Sequence, residues 1–115
     1  MLNKIIVQNQ SRVSFISPEE IIYCQSDNYY TIINLLNGEK LIVCKSLSKF
    51  SEGLNAEIFI RTSQSYLVNT NFIRAIDKRT KHIELENQFV VPFTLSIKVL
   101  LNLIGYSSQF SPNTF

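Results

Sequence analysis

The sequence predicts a mainly β domain, with small antiparallel sheets packed in layers, a short middle helix and a C-terminal helix. Three observations carry that expectation. Short runs rich in β-branched and aromatic residues recur along the chain and are broken at close intervals by turn residues. An Asn37-Gly38 pair stands between two such runs, a strong local signal for a hairpin. Apolar residues at helical spacing occur in two short stretches, 46–54 and 94–104.

The elements follow in order. Lys4–Gln8 and Arg12–Ile16 read as strands around Asn9-Gln10-Ser11. In Ser17-Pro18-Glu19-Glu20, Ser17 suits a cap and Pro18 the first helical position, so a single turn is expected. Ile21–Ser26 and Tyr29–Leu36 are β-branched and aromatic strands. Asn37-Gly38 returns the chain into Glu39–Lys45, and a two-residue turn of this kind needs positive φ at both central positions. Ser46 suits the N-cap of a helix whose face is Leu47, Phe50 and Leu54, with Gly53 as its terminator.

Strands Ile58–Thr62 and Ser65–Val68 follow around a polar loop, then a turn at Asn69-Thr70-Asn71. Ile73–Asp77 and His82–Glu86 flank the turn Lys78-Arg79-Thr80-Lys81. Phe89–Phe93 ends near Pro92, which marks a sheet edge or a strand end because proline cannot donate to the ladder. Thr94 is a cap for a last helix with Leu95, Val99, Leu100 and Leu103 on its apolar face and Gly105 at its end. Apolar residues on both faces of 29–36 predict that this hairpin is covered by a layer on each side. A domain over 1–106 is expected, followed by a flexible tail over 107–115, which is polar and holds Pro112.

The totals narrow the function classes. A chain of 115 residues with 45% hydrophobic and 17% charged residues is long enough for one domain with a real core. Net charge is only +2, but residues 61–115 carry six Lys/Arg against three Asp/Glu, whereas residues 1–60 carry five against six. That asymmetry suits a polyanion on the second half and also an ordinary solvated surface. Cys24 and Cys44 both lie in apolar runs and read as buried thiols in a reducing, cytoplasmic setting. No stretch approaches the ~20 apolar residues of a membrane span, and Met1–Gln10 lacks the apolar core of an export signal.

No cofactor, metal or catalytic pattern is expected. Two cysteines and a lone His82 are too few and too scattered for a structural zinc site. The three glycines stand apart, so no phosphate-cradling loop forms. Glu19-Glu20 sits where acids favour a helix start, and Glu84 and Glu86 alternate along a strand toward solvent. His82 has no Ser or Cys partner at a recognised spacing.

The informative stretch is Phe59-Ile-Arg-Thr-Ser-Gln-Ser-Tyr-Leu-Val-Asn69, two apolar strands around Ser63-Gln64-Ser65. Gln can pair with adenine N6 and N7 in a major groove, and Ser can bond phosphates or base edges. On the residues alone, a plain polar hairpin tip stands beside that reading.

Phe-Ile-Arg-x-x-x-Ser-Tyr-Leu-Val-Asn followed by Phe72-Ile73 resembles the most recognisable motif of the LytTR family. Glu20-Ile-Ile-Tyr23, Tyr29/Tyr30, the Asn-Gly turn, Ser46-Leu-x-x-Phe50 and Val91-Pro92-Phe-Thr94 fall in the family's order, so the resemblance spans residues 4–104. It implies a fold of small antiparallel sheets that binds double-stranded promoter DNA through loops entering successive major grooves. It also implies a receiver domain or kinase-linked partner upstream and two copies on tandem sites.

Carried over by position, the resemblance assigns base contacts to Tyr30, Gln64 and Leu95. It assigns phosphate contacts to Asn28, Lys45, Ser46, Ser63, Ser65, Ser96 and Lys98. Arg61 is expected to be structural or phosphate-anchoring. Family members often carry His at the position of Ser63, a basic residue at Gln64 and Arg at Leu95, so altered base preference and weaker affinity are implied. The alternative class is a β-rich protein–protein or sensing module that has lost DNA binding.

Overall fold

Alternating burial along successive short strands organises the chain into three antiparallel sheets. The computed structural model describes residues 3–105, so the tail expected over 107–115 lies outside the described residues. A two-stranded sheet pairs β1 (Ile5–Gln8) with β2 (Val13–Ile16). A five-stranded sheet has the order β5-β4-β3-β7-β6, built from β3 (Ile21–Asp27), β4 (Tyr30–Leu35), β5 (Lys40–Val43), β6 (Phe59–Arg61) and β7 (Tyr66–Asn69). The third sheet has the order β10-β9-β8, from β8 (Ile73–Asp77), β9 (His82–Leu85) and β10 (Val90–Pro92). Pro92 ends an edge strand, where its missing N–H costs no ladder bond.

The five-stranded sheet has a core cluster on each face, but the second draws on β3, β6 and β7 and on no residue of 29–36. The two-sided cover expected for that hairpin is not met, and Tyr30, Leu36 and Ile42 stay exposed. One core cluster gathers Ile21, Cys24, Ile33, Leu35, Leu67 and Phe59 with Leu47 and Phe50 of the first helix, α1 (Leu47–Ser51). The other gathers Ile22, Tyr23, Ile60 and Val68 with Ile83, Leu85, Val91 and Leu100. Strand β3 feeds both. A register shift between Ile21 and Tyr23 turns the adjacent Ile22 and Tyr23 toward the same cluster, which strict alternation forbids.

Several local expectations need correction. The β4–β5 connection is not a two-residue turn with two positive φ values. Only Gly38 has positive φ, at 95°, and Leu35 and Glu39 close a longer loop through Leu35 N–H to Glu39 O at 2.9 Å. Gly38 takes the left-handed position of that loop, while Asn37 accepts the Glu39 N–H at 2.8 Å.

The last helix, α2 (Ile97–Ile104), is capped two residues after Thr94, because the Ser96 hydroxyl takes the capping bond from Val99 N–H. Its buried side is Leu100 with Ile97 and Ile104 packed beside it, whereas Val99 and Leu103 are exposed. Helix α1 ends at Ser51, with Ser46 capping through Lys49 N–H. Cys44 is exposed rather than buried, since β5 ends at Val43 and the chain turns away. Glu86 lies beyond β9 in a 3-10 turn, half-buried and 3.5 Å from Arg74. No helix among the described residues is long and apolar enough to cross a membrane.

Candidate nucleic-acid interface

Antiparallel order decides which loops meet. In the five-stranded sheet the ends of β3, β5 and β6 and the starts of β4 and β7 lie at one edge. Three connections therefore converge there: the turn from Asp27 to Tyr30, the segment after Val43 and the loop between Arg61 and Tyr66. Asn28, Tyr30, Lys45, Ser46, Ser63, Gln64 and Ser65 all sit on them, although the sequence scatters them over 38 positions.

Hydrogen bonds lock these connections to one another. Ser26 N–H donates to Ser65 O at 2.8 Å, joining the β3 end to the polar loop. Thr31 Oγ1 donates to Lys45 O at 2.9 Å, joining the Tyr30 turn to the segment that enters α1. Asn28 adopts φ 56°, a left-handed value that Asn tolerates better than most residues, and this closes the tight turn. Tyr29 then stands 85% exposed at the turn tip, and Tyr30 is 46% exposed at the start of β4.

The polar loop has its own brace. Arg61 donates from Nε to Ser63 O at 3.1 Å, from Nη2 to Gln64 O at 2.6 Å and from Nη1 to Ser48 Oγ at 3.2 Å. The planar guanidinium suits such divergent acceptors because its donors are held in a fixed fork. All three bonds go to protein groups, which gives Arg61 the structural one of its two expected roles and leaves phosphate anchoring untested. Ser65 N–H donates to Ser63 Oγ at 3.2 Å, so the Ser63 side chain also shapes the loop. Gln64 and Ser65 are exposed, and among the described residues the Gln64 side chain makes no hydrogen bond.

The third sheet brings the remaining predicted residues to the same edge. Thr94 N–H donates to Thr62 O at 2.9 Å, and Thr62 Oγ1 donates to Pro92 O at 3.3 Å. These bonds pin the strand end that leads to Leu95, Ser96 and Lys98 beside the polar loop. Leu95 is half-buried against the second core cluster, with the rest of its side chain open to solvent. Ser96 and Lys98 are exposed at the first turn of α2.

Sequence reasoning missed two features of this edge. Tyr29 falls in the Tyr29/Tyr30 motif but the contact is assigned to Tyr30, and nothing in the sequence marks Tyr29 as the more exposed of the two. Lys81 donates from Nζ to Leu95 O at 2.8 Å and lies 5.1 Å from the centre of the Phe93 ring. Its run Lys78-Arg79-Thr80-Lys81 was legible as a turn, but its nearness to Leu95 depends on sheet stacking.

Comparison with known proteins agrees with this architecture. A family model described as the LytTr DNA-binding domain matches residues 11–103. Among solved structures, the chain is similar to the LytTr DNA-binding domain of a protein described as a methyl-accepting/DNA response regulator from Bacillus cereus. That match has a TM-score of 0.76 at 21% identity and covers 90% of this chain and 97% of that one. At that identity the likeness speaks to the fold. No curated protein matches the chain. With the family model spanning most of the sequence and the same three-sheet architecture around it, the chain belongs to the LytTR family of DNA-binding domains.

Proposed function

We propose that this domain binds double-stranded promoter DNA sequence-specifically, as the non-catalytic output module of a cytoplasmic bacterial transcription regulator. The observation that carries the reading is the convergence of four separate chain segments at one edge, cross-braced through backbone groups while Tyr30, Gln64, Ser65, Ser96 and Lys98 stay open. Loops fixed this way can enter a groove without first being ordered, which lowers the cost of binding.

Roles follow from side-chain chemistry. Gln64 offers a donor and an acceptor to adenine N6 and N7, Tyr30 a phenol, and the open part of Leu95 an apolar contact for a thymine methyl. Lys45, Lys98, Asn28 and the hydroxyls of Ser46, Ser63, Ser65 and Ser96 are left for phosphates, those of Ser46, Ser63 and Ser96 donating while they accept the capping or loop bonds described above. A receiver domain upstream and a second copy on a tandem site complete the proposed assembly.

The test is fluorescence anisotropy on duplexes selected from a random pool, repeated across salt concentrations. Gln64→Ala is expected to relax discrimination at one base position by about 1–3 kcal/mol. Lys98→Ala is expected to weaken binding to every sequence and to lower the salt slope by about 0.9. Absence of salt-sensitive binding in the unaltered domain would reject DNA and leave a protein–protein or sensing module.

A further inference from the structure

The reading edge is short of positive charge. Ser63, Gln64 and Leu95 are uncharged, and the Arg61 guanidinium is used up on Ser63, Gln64 and Ser48. That leaves Lys45 and Lys98 as the predicted cations, few for a partner with one negative charge per ~1.7 Å of axis.

The turn between β8 and β9 carries the densest cation run of the chain, Lys78, Arg79 and Lys81 within four positions. All three are exposed. Its location follows from the ladder. His82 pairs with Asp77 on one side and with Pro92 on the other, so the turn and the end of β10 lie at one edge of the third sheet. Phe93 N–H donates to Lys81 O at 3.1 Å, and the next residue, Thr94, bonds Thr62 O at 2.9 Å. Two successive backbone bonds therefore connect the basic turn to the polar loop.

The turn is also rigid. Asp77 Oδ1 accepts the N–H of Arg79 at 3.0 Å and of Thr80 at 3.1 Å. The Thr80 backbone N–H, foremost, holds this carboxyl below its ordinary range, so it stays ionised near neutral pH. Lys81, at φ 59°, is committed to Leu95 O and the Phe93 ring. Among the described residues the side chains of Lys78 and Arg79 have no such commitment. The ion pairs among the described residues are Lys49–Glu52 and Arg74–Glu86. Three cations against the one Asp77 carboxylate keep the turn positive.

We propose that the β8–β9 turn is a phosphodiester-binding site that extends the DNA-facing edge, with Lys78 and Arg79 as the contacting cations and Lys81 as the anchor tying the turn to the Leu95 segment. The inference rests on the DNA reading of that edge and adds a contact region to it. It accounts for DNA affinity in a domain whose reading residues are uncharged, because sequence-independent affinity comes mainly from phosphate neutralisation. Arg79 can present two parallel N–H groups to one phosphate, and Lys78 a point charge.

The experiment compares the full chain with Lys78→Ala/Arg79→Ala, and with Lys40→Ala as a control. Lys40 opens β5 at the opposite end of the five-stranded sheet, beside the Gly38 loop. Anisotropy is read on the selected duplex and on a random duplex of equal length across a salt series, and thermal melting checks that each variant is folded. The double variant is expected to lower the slope of log K against log salt by about 1.8, near 0.9 for each lost contact. It should weaken both duplexes by the same factor, with Lys40→Ala unchanged. A double variant with wild-type slope and affinity, in a domain that does bind DNA, overturns this site and leaves the reading loops standing. A slope lowered as much by Lys40→Ala overturns it too, since the effect would then be general charge. Salt-insensitive behaviour of the unaltered chain overturns the DNA reading and this site with it.

Discussion

At the scale of single residues, Arg61 shows how a motif residue can act without touching a partner. Its guanidinium spans two loop carbonyls and the Ser48 hydroxyl, so it joins β6, the polar loop and α1. Hydrogen bonds to a charged group contribute more than neutral ones, but this side chain is partly open to water. Arg61→Ala is therefore expected to cost about 1–2 kcal/mol of stability in denaturant melts. It should also weaken selected DNA more than random DNA, because the Gln64 loop loses its brace. An equal loss on both duplexes would instead make Arg61 a phosphate contact.

The cysteines separate at the same scale. Burial pushes the Cys24 thiol up to about 12, so it holds no thiolate at neutral pH, while Cys44 is exposed. Iodoacetamide on the folded protein should add one label, at Cys44, and two after denaturation, as read by peptide mass spectrometry. Both cysteines read as buried in the sequence because both follow three apolar residues. What the sequence did not show is that β5 stops one residue before Cys44.

At the scale of elements, strands were legible where alternation and turn chemistry agreed, and errors fell where a local irregularity intervened. The hairpins β1–β2, β3–β4 and β6–β7 pair as the alternating runs predict. The bulge at Ile22 was not legible, since Ile-Ile-Tyr-Cys fits either face. In α2 the apolar residues outnumber those one face can hold, so choosing Val99 and Leu103 over Ile97 and Ile104 was a choice of phase. Thr94 and Ser96 both suit a cap, and the Thr94 N–H is already committed to Thr62 O, which ties that residue to the sheet edge and leaves Ser96 to start the helix. Of the candidate site, the members near Gln64 and Tyr30 were legible through the motif. The basic turn was not, because no local pattern reveals that Lys81 lies against Leu95.

At the scale of the whole molecule, the candidate interface depends on two cores keeping a fixed relation. The Gln64 loop hangs from the five-stranded sheet, whereas Lys81, Leu95 and Lys98 belong to the third sheet and α2. Strand β3 joins them by giving Ile21 and Cys24 to one cluster and Ile22 and Tyr23 to the other. Removing side-chain volume from either cluster should therefore destabilise both. Ile33→Ala in the first and Ile83→Ala in the second are each expected to cost about 2–5 kcal/mol, because both side chains are fully buried. Each should lower a single cooperative unfolding transition in far-UV circular dichroism, with amide exchange at Ile33 and Ile83 accelerating together in either variant. Acceleration confined to the altered cluster would mean that the two halves open independently. The spacing between Gln64 and Lys98 would then be set by DNA as it binds rather than built into the fold, and the stability of the second core would enter directly into affinity.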